Sequence, residues 1–238
     1  MSATKSAPAT AANDKAIVKD YFNTTGFDRW RRIYGDGEVN KVQRDIREGH
    51  QRTVDTVLYW FKSAGAIAGQ TVCDAGCGVG SLSIPLAQQG AVVFGSDIAE
   101  KMIGEAQERA AALGLTEGLT FEAKELQAID GSYDTVVCLD VLIHYPDEDV
   151  EAMLAHLASL AKSRLILSFA PKAGVYVLLK RIGELFPGPS KTTRAYLHPV
   201  REVVAILRRL GWEVRRKEFI GSQFYFSQVI EAVPIQED

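Results

Sequence analysis

A short apolar stretch at residues 71–73 runs into Asp74 and then into alternating glycines, Gly76, Gly78 and Gly80. Beyond them Ser81 leads into Leu82, Ile84, Leu86 and Ala87, which open a helix. A strand that turns at once into a helix needs positive φ in the turn, and glycines also let a ligand approach with no Cβ in the way. The helix start behind such a turn presents free N–H groups and the positive end of its dipole. This feature commits the neighbourhood to a βα unit, and with it the chain to an α/β fold. It is not the dinucleotide fingerprint G-x-G-x-x-G, whose third glycine would have to stand at position 81, where the chain has Ser81. An acid two positions ahead of Gly76 would also meet a pyrophosphate with like charge. Asp74 suits a ligand that is cationic there.

The pattern D-x-G-x-G-x-G from Asp74 resembles motif I of the class I S-adenosylmethionine (AdoMet) methyltransferases, whose ligand carries a sulfonium and an amino group. The resemblance implies that Asp74, Gly76, Gly78 and Gly80 hold that cofactor. A nucleoside signal follows. Residues 91–94 form a second apolar strand, ending in Gly95-Ser96-Asp97. Asp97 thus stands at a strand's carboxyl end, where doubly wound sheets bind ligands and an acid accepts both ribose hydroxyls. NAD would want the same acid, and a helix at 98–113 could use it as a plain cap. Paired with Asp74, Asp97 reads as a ligand, with Ile98 beside it.

At 238 residues the chain suits one α/β domain with additions, long enough to bury a sizeable core. A net charge of −3 argues against a general nucleic-acid binder, which would show a basic stripe. Cys73, Cys77 and Cys138 lack zinc-ligand spacing and read as small buried thiols in a reducing compartment. No apolar run approaches the roughly eighteen residues of a membrane span, and no secretory signal is present. Residues 1–12, rich in Ala, Ser and Thr, read as a disordered terminus ahead of a single domain from 13 to 238.

In chain order, Asn13 or Asp14 can cap a helix carrying Ile17, Val18, Tyr21 and Phe22. Residues 27–37 are dense in aromatics and arginines, among them Trp30 and Tyr34. They read either as a solvated face or as a flat surface for a planar anionic ligand. A long helix over about 38–62 carries a stripe of Val39, Val42, Ile46, Val54, Val57, Leu58 and Phe61. Since these helices precede the first strand, they must cover a sheet edge or the ligand cleft. A third strand at 119–123 ends at Lys124-Glu125-Leu126, where the likeness to AdoMet enzymes implies that Glu125 meets the adenine amino group and the Leu126 N–H a ring nitrogen, an exposed loop glutamate being the alternative. The fourth strand, 133–139, is nearly all apolar, as for a strand buried on both faces, and ends in Asp140-Val141-Leu142-Ile143-His144. His144, between apolar neighbours and the cleft, reads as an active-site residue. A fifth strand at 164–169 is followed by a long interruption, 170–197, which reads as a lid containing a short helix at 175–186. A last helix at 199–210 precedes two strands, 212–219 and 224–233. The tight link Gly221-Ser222-Gln223 makes one of them antiparallel.

Four blocks together are more specific than the glycine turn. They are Tyr-Phe-Asn-Thr-Thr-Gly-Phe-Asp-Arg-Trp-Arg-Arg-Ile-Tyr-Gly (21–35), Cys-Asp-Ala-Gly-Cys-Gly-Val-Gly-Ser-Leu (73–82), Leu-Asp-Val-Leu-Ile-His-Tyr-Pro (139–146) and Phe-Pro-Gly-Pro-Ser-Lys-Thr-Thr-Arg-Ala-Tyr (186–196). Over residues 14–232 the chain resembles the magnesium-protoporphyrin IX methyltransferase family of chlorophyll biosynthesis. The resemblance implies a Rossmann-like, doubly wound, seven-stranded sheet and methyl transfer from AdoMet to a propionate of Mg-protoporphyrin IX. Magnesium then belongs to the substrate and the protein needs no metal of its own. A propionate with a pKa of about 4–5 is already ionised at neutral pH and needs no strong base. His144 and Tyr34 are therefore expected to position it, with His144 as an axial ligand to the magnesium left as an alternative. Leu139 joins the cofactor-binding set, while Trp30, Lys191 and Arg194 are expected to meet the macrocycle and its second propionate. The resemblance further implies the porphyrin-binding subunit of magnesium chelatase as a partner. It also implies a cytoplasmic location with peripheral contact to the thylakoid membrane. Methylation of another small-molecule acid remains the alternative. A nucleobase acceptor lacks its Asn-Pro-Pro-Tyr-type motif after Leu139, and a porphyrin carrier would have no need of Asp74 and Asp97.

Overall fold

The computed structural model describes residues 8–115, 117–172 and 195–236. Seven strands form one sheet: β1 (Thr71–Ala75), β2 (Val92–Asp97), β3 (Leu119–Ala123), β4 (Tyr133–Cys138), β5 (Ala161–Phe169), β6 (Trp212–Gly221) and β7 (Phe226–Pro234), in the order β3-β2-β1-β4-β5-β7-β6. β1 to β5 pair in parallel, and β7 alone runs antiparallel to its neighbours β5 and β6. From β1 the chain steps outward to β2 and β3, then returns to lay β4 on the other side of β1. The strand order reverses there, which opens a crevice at the carboxyl ends of β1 and β4.

Period-two alternation divides the strands between two cores. Cys73, Ala75, Val136, Cys138, Leu165, Leu167, Ile230 and Ala232 face α6 (Asp147–Leu160) and α7 (Val200–Arg209). Val72, Val93, Val137, Ile166 and Val229 face the other way, toward α3 (Lys41–Ser63) and α4 (Ser83–Gln88). All three cysteines are free and buried. Asn40 opens α3 with a reciprocal cap: its side chain accepts the Gln43 N–H at 2.9 Å, and Gln43 Oε1 accepts the Asn40 N–H at 3.3 Å. The start at Lys41 moves Val42 out of the expected stripe to 40 % exposure, and Trp60 is buried instead.

The amino-terminal arm comprises α1 (Pro8–Asn23) and α2 (Phe27–Ile33). α1 begins at Pro8, not at Asn13, so residues 8–12 are helical rather than disordered. Proline suits a first helical turn and the alanines after it favour a helix. Both helices pack on α5 (Glu100–Ala112), where Phe22, Phe27, Trp30 and Tyr34 cover Val79, Ala99 and Met102. Several arginines here serve the fold. Arg47 of α3 donates to the carbonyls of Ile33 (2.9 Å), Arg32 (2.6 Å) and Gly37 (2.8 Å), satisfying the end of α2. Arg109 donates to Tyr34 O at 2.7 Å, and Arg31 lies 3.6 Å from Glu105. Arg47 and Arg109 thus hold the arm from neighbouring helices, while the aromatics of residues 27–37 turn inward onto Val79, Ala99 and Met102. Residues 173–194, with the expected helix at 175–186, Lys191 and Arg194, lie outside the described residues.

Candidate active site

At the end of β1 the chain reverses so sharply that the N–H groups of both Gly76 and Cys77 donate to Ser96 O, at 2.7 and 2.8 Å. Gly76 has φ +88°, and a Cβ on it would run into Val141. Gly76→Ala is therefore expected to weaken AdoMet binding by at least about tenfold, from the strained backbone and displacement of Val141 together. Calorimetry giving a wild-type dissociation constant would refute this. At the end of β2 the Asp97 carboxylate accepts the N–H groups of Gly78 (3.1 Å) and Ala99 (2.9 Å). Burial raises its pKa to about 6 in spite of these bonds. The two oxygens are thus pinned at the lip of the crevice, where Gly78, Val79, Ile98, Met102, Leu126 and Leu139 supply an apolar wall. Ser96 Oγ is buried there without a partner among the described residues.

Asp74 departs from its expected place. It is 2 % exposed, and its Oδ2 accepts the Ser83 hydroxyl at 2.5 Å, bracing the start of α4 beneath the turn. A carboxylate at the end of a buried strand takes the nearest donor, and burial raises its pKa to about 6. Gly80 is also behind the wall, against Ile84 and Phe121. Glu125 is exposed, because the chain enters a 3-10 turn at Leu126 and carries that side chain outward. Trp30 stands behind Tyr34, ring centroids 5.4 Å apart, and does not line the crevice.

The space in and over the crevice, with the open solvent at its mouth, comes to about 940 Å³. Its second half is built on the 3-10 turn Leu142–His144 and on the arm. Tyr196 N–H donates to Ile143 O at 2.7 Å, and His198 Nε2 lies 2.9 Å from Leu142 O, so the chain returning from the 173–194 segment holds this turn. His144 meets the edge of Phe22 at 5.8 Å, and its Nδ1 is buried with no partner among the described residues. Burial lowers its pKa to about 4, against the pull of Asp140. Tyr34 lies on the same cavity, and burial, with the charges of Asp140 and Asp97, raises its pKa far above the ordinary phenol value. Two neutral donors therefore face one space. Lys15, Phe22, His50, Lys124, Asp140, Val141 and Tyr145 also line it and were not singled out from the sequence. A signal for His50 did exist: with Gly49 and Thr53 it breaks the apolar stripe of α3.

Fold and site together define an AdoMet-dependent methyltransferase of class I. Residues 138–234 match the family "Magnesium-protoporphyrin IX methyltransferase C-terminus", and residues 72–164 match "Methyltransferase domain". The magnesium-protoporphyrin O-methyltransferase of Synechocystis is 60% identical over 94% of this chain and 97% of its own. The chloroplastic magnesium protoporphyrin IX methyltransferase of Arabidopsis thaliana is 54% identical over 96% of this chain and 74% of its own. A crystal structure of the Synechocystis PCC 6803 enzyme with bound SAH superposes with a TM-score of 0.85 at 57% identity, covering 93% of this chain and 99% of that one. The chain belongs to the magnesium-protoporphyrin IX methyltransferase family.

Proposed function

We propose that the chain transfers a methyl group from AdoMet to one propionate carboxylate of Mg-protoporphyrin IX, giving the monomethyl ester of chlorophyll biosynthesis. The observation that carries this reading is the buried Nδ1 of His144, without a partner among the described residues, on the cavity that Tyr34 and the glycine turn also line. AdoMet, when bound, supplies an electrophilic methyl group. The residues present fit it: the turn at Gly76 and Gly78, the Asp97 carboxylate for the ribose, and an apolar wall of Ile98, Met102 and Leu126. His144 and Tyr34 donate hydrogen bonds that orient an ionised carboxylate, so neither has to remove a proton. Phe22, Val141 and Tyr145 exclude water around it. Among the described residues no group of His, Cys, Asp or Glu is placed to hold a metal ion.

Trp30 backs Tyr34 rather than touching the macrocycle, and Lys191 or Arg194 takes the second propionate. No helix among the described residues is long and apolar enough to cross a membrane. Peripheral contact with the thylakoid is part of the proposal. The porphyrin-binding subunit of magnesium chelatase is proposed as the donor of the substrate.

Incubation with AdoMet and Mg-protoporphyrin IX should yield a product heavier by one methylene unit, and no product would refute the assignment. Cofactor binding should depend on pH through Asp97. Its carboxyl ionises at about 6, and the ionised form is the better acceptor for two hydroxyls, so affinity should fall as pH drops through that value. The step should be absent in Asp97→Asn. Isothermal calorimetry between pH 5 and 8 (about the range in which the group titrates) tests this. A flat wild-type profile would remove Asp97 from the ribose site.

A further inference from the structure

Beside the cleft lies a polar cluster that methyl transfer as described does not use. Asp140 is the one non-glycine residue with positive φ among those described, at 56°. Aspartate tolerates this conformation better than most residues, but still at some cost. Its surroundings hold it there. Its N–H donates to Ser168 Oγ at 2.8 Å, and that hydroxyl donates back to Oδ1 at 2.7 Å. Ser227 adds a longer bond to Oδ1 at 3.3 Å. Oδ2 accepts from Tyr225 Oη at 2.7 Å and from His50 Nδ1 at 3.1 Å. Burial raises the carboxyl pKa, but His50, Ser168 and Tyr225 more than offset it and hold the group below its ordinary value.

The cluster draws on several parts of the chain. Ser168 comes from β5, Ser227 from β7 and His50 from α3. Thr53, also on α3, lies 2.8 Å from Tyr225 Oη. Gly49 makes the crossing possible, because a Cβ there would run into the Tyr225 ring. A mere staple between helix and sheet would end at Tyr225. Here the arrangement continues into the cleft, since His50 lines it and packs its ring on Tyr34 with centroids 4.6 Å apart. Among the described residues no hydrogen bond reaches the Tyr34 hydroxyl, so its ring is oriented by tilted contacts with the rings of His50 and Trp30. With Nδ1 tied to Asp140, the imidazole is a fixed surface rather than a rotating one.

We infer that His50, locked by Asp140, is a positioning residue for methyl transfer that sets the Tyr34 phenol toward the acceptor carboxylate. The inference rests on Tyr34 acting as a positioner, as proposed above. Two substitutions separate the parts of the device. His50→Phe keeps an aromatic face and loses the bond to Asp140; His50→Asn keeps an N–H near the Nδ1 position and loses the ring. Each should lower kcat by about tenfold or more while leaving AdoMet affinity within about twofold, because a misplaced orienting group costs rate and not cofactor binding.

The decisive measurement is a double-mutant cycle in the full chain with Tyr34→Ala, followed by single-turnover kinetics. If His50 acts through Tyr34, His50→Asn should change the rate by less than about twofold once Tyr34 is gone. Independent, multiplying effects would overturn the inference while leaving the Tyr34 reading intact. So would wild-type kcat in both His50 variants. A wild-type kcat in Tyr34→Ala alone would instead overturn the Tyr34 reading, and this inference with it. Should His50→Phe fail to fold by circular dichroism, His50→Asn carries the cycle.

Discussion

His144→Ala should lower kcat by roughly a hundredfold, the loss that follows when a reacting group is misplaced by about 1 Å. AdoMet affinity should stay near that of the wild type if, as proposed, the turn bearing His144 serves the acceptor. The ring's buried Nδ1 has no partner among the described residues, which leaves it for a carboxylate in the role proposed above. With a pKa of about 4 the imidazole stays neutral over the physiological range, which makes it a hydrogen-bond donor and not a titrating base. The wild-type pH–rate profile should therefore show no inflection near the ordinary histidine value of about 6.5. An inflection there, abolished in the variant, would make His144 a base and overturn its role as a positioner. Stability gives an independent check. The unfolded ring binds a proton near its ordinary pKa and the folded ring only near 4, so His144 makes the protein less stable as pH falls through that interval. Asp74 and Asp97, raised to about 6, act in the opposite sense over much of the same range: folded, they hold protons that the unfolded chain releases. The difference in slope between wild type and His144→Phe isolates the histidine.

What was legible in the sequence was what a single segment determines. The glycine turn, Asp97 one strand later and His144 in the loop after β4 are local patterns whose place in a doubly wound sheet follows from βα order. Side-chain direction was not legible. Asp74 carries the spacing of a ligand, yet the start of α4 offers it Ser83, and the nearest donor wins. Glu125 lost its role to a turn of only three residues. Arg47 of α3 looks free in one dimension, but in three it meets the exposed carbonyls at the end of α2. The Asp140 cluster could not be read at all, since His50, Ser168 and Tyr225 are brought together only by packing α3 across β5 and β7. Its trace, Gly49 beside a histidine in an apolar stripe, becomes meaningful only when the ring that fills the gap is known.

Deleting residues 1–37 should abolish methyl transfer and also weaken AdoMet binding by roughly tenfold to a hundredfold, about 1.4–2.8 kcal/mol. Loss of transfer follows from removing Tyr34 and Phe22. Loss of cofactor affinity is the less obvious half, because a lid reserved for the acceptor would leave it untouched. The arm is not such a lid. Phe22, Phe27, Trp30 and Tyr34 bury Val79, Ala99 and Met102 to within 1 % of complete cover, and Val79 and Met102 are themselves walls of the cofactor crevice. Uncovering that wall admits water to one side of the bound nucleoside and exposes Met102, whose burial alone is worth about 1.5–3 kcal/mol of stability. The two larger cores, on either face of the sheet, keep their own residues. The truncated chain should therefore still unfold cooperatively, at a midpoint several degrees lower. Hydrogen exchange of the full chain gives the complementary test: adding AdoMet alone should slow exchange in α1 and α2 as well as around Asp97. If truncation leaves AdoMet affinity unchanged, or AdoMet protects only the glycine turn and β2, the arm serves the acceptor alone and its place in the cofactor site is wrong.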